Sequence, residues 1–360
     1  MSFEQQVRKI EADLVEKIKG LLSPTKKNIV FFCPTETYYK QFGNLPKKLA
    51  QKHQVILAKA LPPMPADFES QFASVVSVGW LVNTPEGKKQ IWIDIPEIDI
   101  IISVDFGEGI NSNFLSKTAK RIYMPHSMLQ APNWSPYDYI IAPTKIFVED
   151  YKRVHPNHAN QLILGGYPKF DSSLTQTPTQ QPDRITFAST IRDDVQFFKT
   201  NLYAGYDANL LEWLLENTDQ KIAYRPHPVT YAFDKVLKFY ELLKYRFANE
   251  PRLVFDEMPG SGFYAQTQIL ITDFSTTAYT FSLSTLRPSI FFAPLQSDKS
   301  IGKHIHRIGY AARNFQELKQ ILDKNEDKSS EIAAFRDECV FNVGRSEEAI
   351  CEAIDSILCS

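Results

Sequence analysis

Three short runs of this 360-residue chain combine side chains that can bind and turn over a phosphate ester. In Arg225-Pro226-His227-Pro228 two prolines bracket a histidine and restrict the backbone around it, which suits a ring that must point at one place. Such a ring can donate to a phosphoryl oxygen and, when protonated, offset charge on a leaving group. Arg225 either assists there or only pairs with a surface acid. In Ile269-Leu-Ile-Thr-Asp273-Phe-Ser275-Thr276-Thr277 an apolar strand runs into an acid and a hydroxyl cluster that opens a helix. A helix start presents unpaired N–H groups and partial positive charge, so a phosphate can sit at Ser275 and Thr276; the same two residues can equally serve as ordinary caps. Near the end, Asn342-Val-Gly-Arg345-Ser346-Glu-Glu marks one more helix start with a base and a hydroxyl.

These runs need a scaffold that places them at strand ends. Runs dominated by apolar residues at 29–32, 98–104, 121–124, 139–142 and 161–164 read as strands. Helices are expected near 45–52 and over 144–153, the latter capped by Thr144. Past a polar, proline-interrupted stretch at Ser172–Asp183 the alternation resumes. Strands are expected at 185–188, 221–224, 252–255, 268–272 and 289–292, with helices near 209–217, 233–247 and 276–284. Buried apolar strands alternating with helices imply parallel sheets covered on both faces. The expected division is an α/β domain over 1–173, a second over 184–345, and a terminal helix over 346–360 that packs back toward the first domain. Two such halves would leave a cleft, where ligands usually bind.

Composition sets limits. Hydrophobic residues make up 43% and charged residues 23%, a folded profile, and a net charge of −2 gives no electrostatic reason to expect nucleic acid. The first residues lack the apolar core of a signal peptide, and no apolar run reaches the ~18 residues of a membrane span. Cys33, Cys339, Cys351 and Cys359 show no metal or disulfide spacing, which points to a reducing cytoplasm. Phe3, Val7, Ile10, Leu14, Ile18 and Leu21 put one apolar face on a first helix of mixed charge, expected to pack on the core or on a second subunit. Four other features read as background. His304 and His306, with Lys303 and Arg307, could form a phosphate patch but read better as a surface loop. His155 and His158 lack further metal ligands nearby. Asp105 and Glu108 flank a glycine-containing turn. Lys169 and Asp171 read as solvated hinge residues.

The order of these runs resembles the CDP-glycerol glycerophosphotransferase family, the teichoic-acid polymerase-like enzymes. It is carried by the Arg225–Pro228 run, the 271–276 run, Arg287-Pro-Ser-Ile-Phe-Phe and the 342–348 run. Two segments of the first half add to it, Tyr123-Met-Pro-His126-Ser and Ile163-Leu-Gly-Gly-Tyr-Pro-Lys-Phe-Asp. The resemblance implies a GT-B fold, two Rossmann-like domains facing across a cleft. It also implies transfer of a glycerol-phosphate or related polyol-phosphate group from a CDP-activated donor to an acceptor hydroxyl. His126 would be the general base and His227 would contact the donor phosphate. Ser275 and Thr276 would hold the pyrophosphate. Asp273 would orient His227, bind an acceptor hydroxyl or cap the helix, and Arg345 and Ser346 would face the donor. No cofactor and no metal are called for.

Partners implied are the nucleotide-activated donor and a polysaccharide or lipid-linked acceptor. The setting is cytoplasmic, with peripheral contact at the inner face of the membrane and room for a homo-oligomer. Ser127 replaces the glycine that usually follows the family's first histidine, and 293–307 is basic, which leaves the transferred group open. The rival readings are a GT-B glycosyltransferase using a UDP- or CMP-activated sugar and a non-catalytic nucleotide- or polymer-binding protein.

Overall fold

The apolar runs that interrupt the sequence become two parallel sheets in the computed structural model. It describes residues 3–33, 38–59, 66–78, 81–84, 87–91, 93–104, 115–132, 137–174, 182–190, 202–227, 230, 234–257, 262–292 and 300–359. Asp105, Glu108, Pro228 and much of the polar stretch after Leu174 lie outside these residues.

The chain forms two compact units, Met1–Asp171 with Val340–Ser360, and Ser172–Cys339. In the first unit the strands are β1 (Asn28–Cys33), β2 (Gln54–Lys59), β3 (Ser74–Ser77), a hairpin of β4 (Leu81–Thr84) and β5 (Gly87–Gln90), then β6 (Ile100–Ser103), β7 (Lys120–Tyr123), β8 (Tyr139–Ile141) and β9 (Leu162–Ile163). Seven of them form one sheet in the order 3-2-1-6-7-8-9, every pair parallel. Strand β1 is buried along its whole length, because the sheet is covered on both faces. Val30 and Phe32 pack into one apolar cluster, while Ile29 and Phe31 pack into the other. Side chains alternate across a strand, so one residue run supplies both cores.

The Phe3–Lys19 helix buries Val7, Leu14 and Ile18, and leaves Ile10 exposed on the same stripe. Thr144 caps the Lys145–Val154 helix, as its sequence position requires, by accepting the Phe147 N–H at 3.1 Å.

The second unit carries β10 (Arg184–Ala188), β11 (Lys221–Arg225), β12 (Leu253–Phe255), β13 (Thr267–Thr272), β14 (Ser289–Phe292) and β15 (Gly309–Ala312). They form a parallel sheet in the order 12-11-10-13-14-15. Connections leave in opposite directions from β10, so the switch point of this doubly wound sheet lies between β10 and β13. Helices Leu202–Asn217, Asp234–Arg246, Thr277–Thr285, Phe315–Lys324 and Ser329–Cys339 belong to this unit. Two Rossmann-like α/β units are the parts of a GT-B type fold.

Two expectations change here. The region around His304 and His306 is not a plain surface loop: Ser300–Lys303 and Ile305–Ile308 are helical turns. His304 stacks on Phe335 at 5.7 Å, and Arg307 lies 4.5 Å over the same ring while pairing with Glu338 at 2.7 Å. The aromatic ring and the acid of the Ser329–Cys339 helix therefore hold this segment. Asp171 is not a solvated hinge residue either. It belongs to the Pro168–Leu174 helix and accepts the main-chain N–H groups of Gly344 and Ser346, each at 2.8 Å.

Candidate active site

Beyond the carboxyl ends of β10, β11 and β13 the second unit gathers most of the residues singled out from its sequence. His227 lies two residues past β11 and is half-buried, and its carbonyl accepts the Thr230 N–H at 2.8 Å. Prolines on both sides of it in the sequence limit its backbone.

Arg225, the last residue of β11, is committed to a neighbour. Its guanidinium meets Asp256 at 3.4 Å and stacks 4.2 Å over the Phe263 ring. Asp256 is 6% exposed, so the acid Arg225 pairs with is a buried one just past β12. A buried pair of this kind is costly to break, because removing one partner strands the other charge.

Asp273 follows β13 and is 2% exposed. Its Oδ1 accepts the N–H of Thr190 at 2.8 Å and of Phe274 at 2.9 Å. Thr272 Oγ1 donates to the Ala188 carbonyl at 2.6 Å. The ends of β10 and β13 are thus stitched across the switch point by one carboxylate and one hydroxyl. Of the three roles open to Asp273 from sequence, capping is not the observed one: Thr276 holds the N-cap position of the Thr277–Thr285 helix.

That helix start is partly satisfied. Ser275 Oγ accepts the Thr277 N–H at 3.2 Å, so the capping role falls to Ser275, while its hydroxyl proton stays available to a ligand. The Thr276 hydroxyl makes no capping bond. A helix N-terminus whose cap residue keeps its hydroxyl uncommitted has donors to offer an anion. Arg287, from the run after this helix, is a brace: it donates to the carbonyls of Thr267 and of Tyr264 (2.6 Å for the latter), and burial pulls its pKa down to about 10.

Ser189 was not legible as a site residue. It follows β10 at the switch point and is 4% exposed, with its Oγ lacking a hydrogen-bond partner among the described residues. Its only sequence signal is its place after an apolar run, one shared with many loop serines.

In the first unit His126 lies three residues past β7 and is exposed, while the residues around it from Arg121 to Leu129 are buried. Ser127 Oγ accepts the N–H groups of Leu129 and Gln130, so Ser127 shapes the turn. The Tyr167 hydroxyl donates to the His126 carbonyl at 2.9 Å.

Arg345 and Ser346 also lie with this unit. Arg345 is exposed. Ser346 is fully buried, and both its N–H and its hydroxyl donate to Asp171. Ser346 is therefore occupied at the start of the Ser346–Cys359 helix, where the half-buried Asp171 carboxylate already fills the place an anion would take. His155 Nε2 is 2.7 Å from the Pro132 carbonyl, a backbone contact at a helix end. Among the described residues no helix is long and apolar enough to cross a membrane, and none of the four cysteines is joined in a disulfide.

The model of the CDP-glycerol:poly(glycerophosphate) glycerophosphotransferase family matches residues 115–356, well over half of the chain. The chain belongs to that family. It is a transferase, and the residues gathered beyond β10, β11 and β13 all fall inside the matched span. Among solved structures, the wall teichoic acid polymerase TagF matches with a TM-score of 0.57 at 16% identity, over 99% of this chain and 98% of that one. A putative UDP-N-acetylglucosamine 2-epimerase from Listeria monocytogenes gives 0.62 at 12% identity, over 92% and 96%. The UDP-GlcNAc 2-epimerase of Methanocaldococcus jannaschii, solved with UDP-GlcNAc and UDP, gives 0.58 at 12% identity, over 91% and 99%. At these identities the structures share the fold. No curated protein sequence matches the chain.

Proposed function

We propose that this transferase moves a glycerol-phosphate, or a closely related polyol-phosphate, group from a CDP-activated donor to an acceptor hydroxyl in the synthesis of a teichoic-acid-like surface polymer. The observation that carries the reading is the switch point of the second unit. There His227, the Asp273–Thr190 clasp and the open Thr276 helix start lie at neighbouring strand ends. A pyrophosphate needs donors and positive potential, and this edge offers both.

In the proposed reaction His126 takes the proton of the acceptor hydroxyl and the oxygen attacks the donor's β-phosphorus. The bond from that phosphorus to the bridging oxygen breaks, and CMP leaves carrying the bridging oxygen. His227 offsets the charge that builds on the pyrophosphate, and Ser275 and Thr276 hold its oxygens. Catalysis is then positioning plus charge stabilisation, with no metal required. The acceptor is a polymer or lipid-linked chain met at the inner face of the membrane by peripheral contact.

The test is CMP release from CDP-glycerol with a short poly(glycerol phosphate) primer. EDTA should leave the rate unchanged, and both His126→Ala and His227→Ala should lose turnover. Intact turnover in both variants overturns the assignment of roles.

A further inference from the structure

Within the first unit, a buried tyrosine hydroxyl reaches the main chain of His126, and a buried amide lies behind it. Tyr167 is 1% exposed, and its hydroxyl lies 2.9 Å from the His126 carbonyl oxygen and 3.3 Å from the Gln41 amide. One hydroxyl carries one proton. With the Gln41 amide turned so that Nε2 faces the tyrosine, a continuous chain runs from Gln41 to the Tyr167 oxygen, and from the Tyr167 proton to the His126 carbonyl. Gln41 is itself 3% exposed. Tyr38, three residues earlier, brings its ring to 6.0 Å from the imidazole.

The supports of this pair close on themselves through the C-terminal helix. Gly43 and Asn44 follow Gln41 and abut Glu347: the Asn44 N–H donates to Glu347 Oε1 at 2.7 Å. Gly43 has φ +54, and a Cβ there would lie 2.5 Å from the same oxygen. Ser346, next to Glu347, is held by Asp171, and the Asp171 N–H donates to the Tyr167 carbonyl at 3.1 Å. The path thus returns to Tyr167. Gly166, with φ +88, lets the chain pass the Phe341 oxygen where a Cβ would meet it at 2.5 Å.

We propose that Tyr167 is a positioning residue for His126, held in register by Gln41 and by the start of the Ser346–Cys359 helix. The proposal rests on the reading of His126 as the base. An exposed imidazole on a bare turn can take several orientations, whereas a base must stay within hydrogen-bond reach of the proton it removes. Tethering the carbonyl of that residue to a buried hydroxyl fixes the turn from beneath without engaging the imidazole itself. The glycine-tyrosine segment then has a mechanical purpose, and Ser346 serves the base instead of the donor.

The experiment is steady-state CMP release by the full chain from CDP-glycerol with a short poly(glycerol phosphate) primer, alongside the thermal shift produced by CDP-glycerol alone. Tyr167→Phe keeps the ring and removes the hydroxyl. It should lower kcat about tenfold, the scale of one lost hydrogen bond, while the donor KM and thermal shift stay within about twofold of the parent. A parental kcat overturns the proposal, and so does a kcat that falls together with donor binding, which would mean general loosening. Should Tyr167→Phe fail to fold, Gln41→Leu removes the next link. A folded Gln41→Leu variant should show the same split at smaller size, and parental kcat in it also overturns the proposal. His126→Ala separates the two claims: intact turnover there sinks the base reading itself, whereas lost turnover beside a parental Tyr167→Phe sinks only the positioning role.

Discussion

The Asp273 carboxylate accepts the main-chain N–H of Thr190 at 2.8 Å, and that bond clasps the ends of the two central strands of the second unit. The clasp puts a negative group beside a proposed anion site, so its value must lie in shape. Asp273→Asn keeps an oxygen that can accept from Thr190, and donor affinity should change little. Asp273→Ala leaves a buried N–H unpaired, at about 1–3 kcal/mol, and CDP-glycerol affinity should fall by roughly 5- to 150-fold. Thermal shift with CDP-glycerol measures both variants. Equal loss in both would point to a charge effect instead.

His227 is expected to act in the transition state more than in binding. His227→Ala should cost about 10²- to 10³-fold in kcat, the scale seen when one donor to a developing charge is removed. The thermal shift given by CMP should be largely kept. Single-turnover CMP release measures the first quantity, and loss of CMP binding without loss of rate would contradict the assignment.

Ser275 and Thr276 are adjacent hydroxyls with separable roles. Ser275 accepts a helix N–H, so Ser275→Ala should lower stability by about 0.5–2 kcal/mol. Thr276 makes no capping bond, so Thr276→Ala should leave the denaturant midpoint near the parental one while weakening donor binding. Denaturant melts with and without CDP-glycerol distinguish them.

Asp171 carries a pH signature. Burial, opposed by its bonds to Ser346 and Gly344, raises its pKa above the ordinary 3.8. A carboxyl with a raised pKa binds a proton more readily folded than unfolded, so its contribution to stability grows as pH falls through the raised value toward 3.8. Asp171→Asn removes that gain and loses acceptor capacity. The variant should melt below the parent at pH 7, and the gap should widen toward pH 4. A gap that closes on acidification would mean the carboxylate is stabilised by its donors more than it is penalised by burial.

Much of the scaffold was legible because its signals are local. Runs such as Ile29–Phe32 and Ile269–Ile271 are apolar throughout since both sheet faces are covered, and Thr144 marks a helix start by residue type alone. Strand β15 was missed because Gly309-Tyr-Ala-Ala has little apolar bulk; it reads as a strand only against β14. Strands β2 and β3 went unread beside the longer runs, although β2 pairs with β1 along its full length. The site residues divide the same way. His227 and Ser275 stand out by their immediate neighbours. The partners that decide what Arg225, Asp273 and Ser346 do are Asp256, Thr190 and Asp171, which lie 31, 83 and 175 residues away. No window of sequence contains such pairs.

The first unit is completed by Val340–Ser360, which supplies Ile350 and Ile354 to its core and Glu347 to the turn after Gln41. Domains fold as units during synthesis, so order of manufacture matters. The second unit is continuous and is whole before residue 340 leaves the ribosome. The unit bearing His126 must wait, with part of its apolar face uncovered, until the last turns of the chain arrive. A stop codon near position 340 would therefore leave the later-made unit intact and damage the one made first.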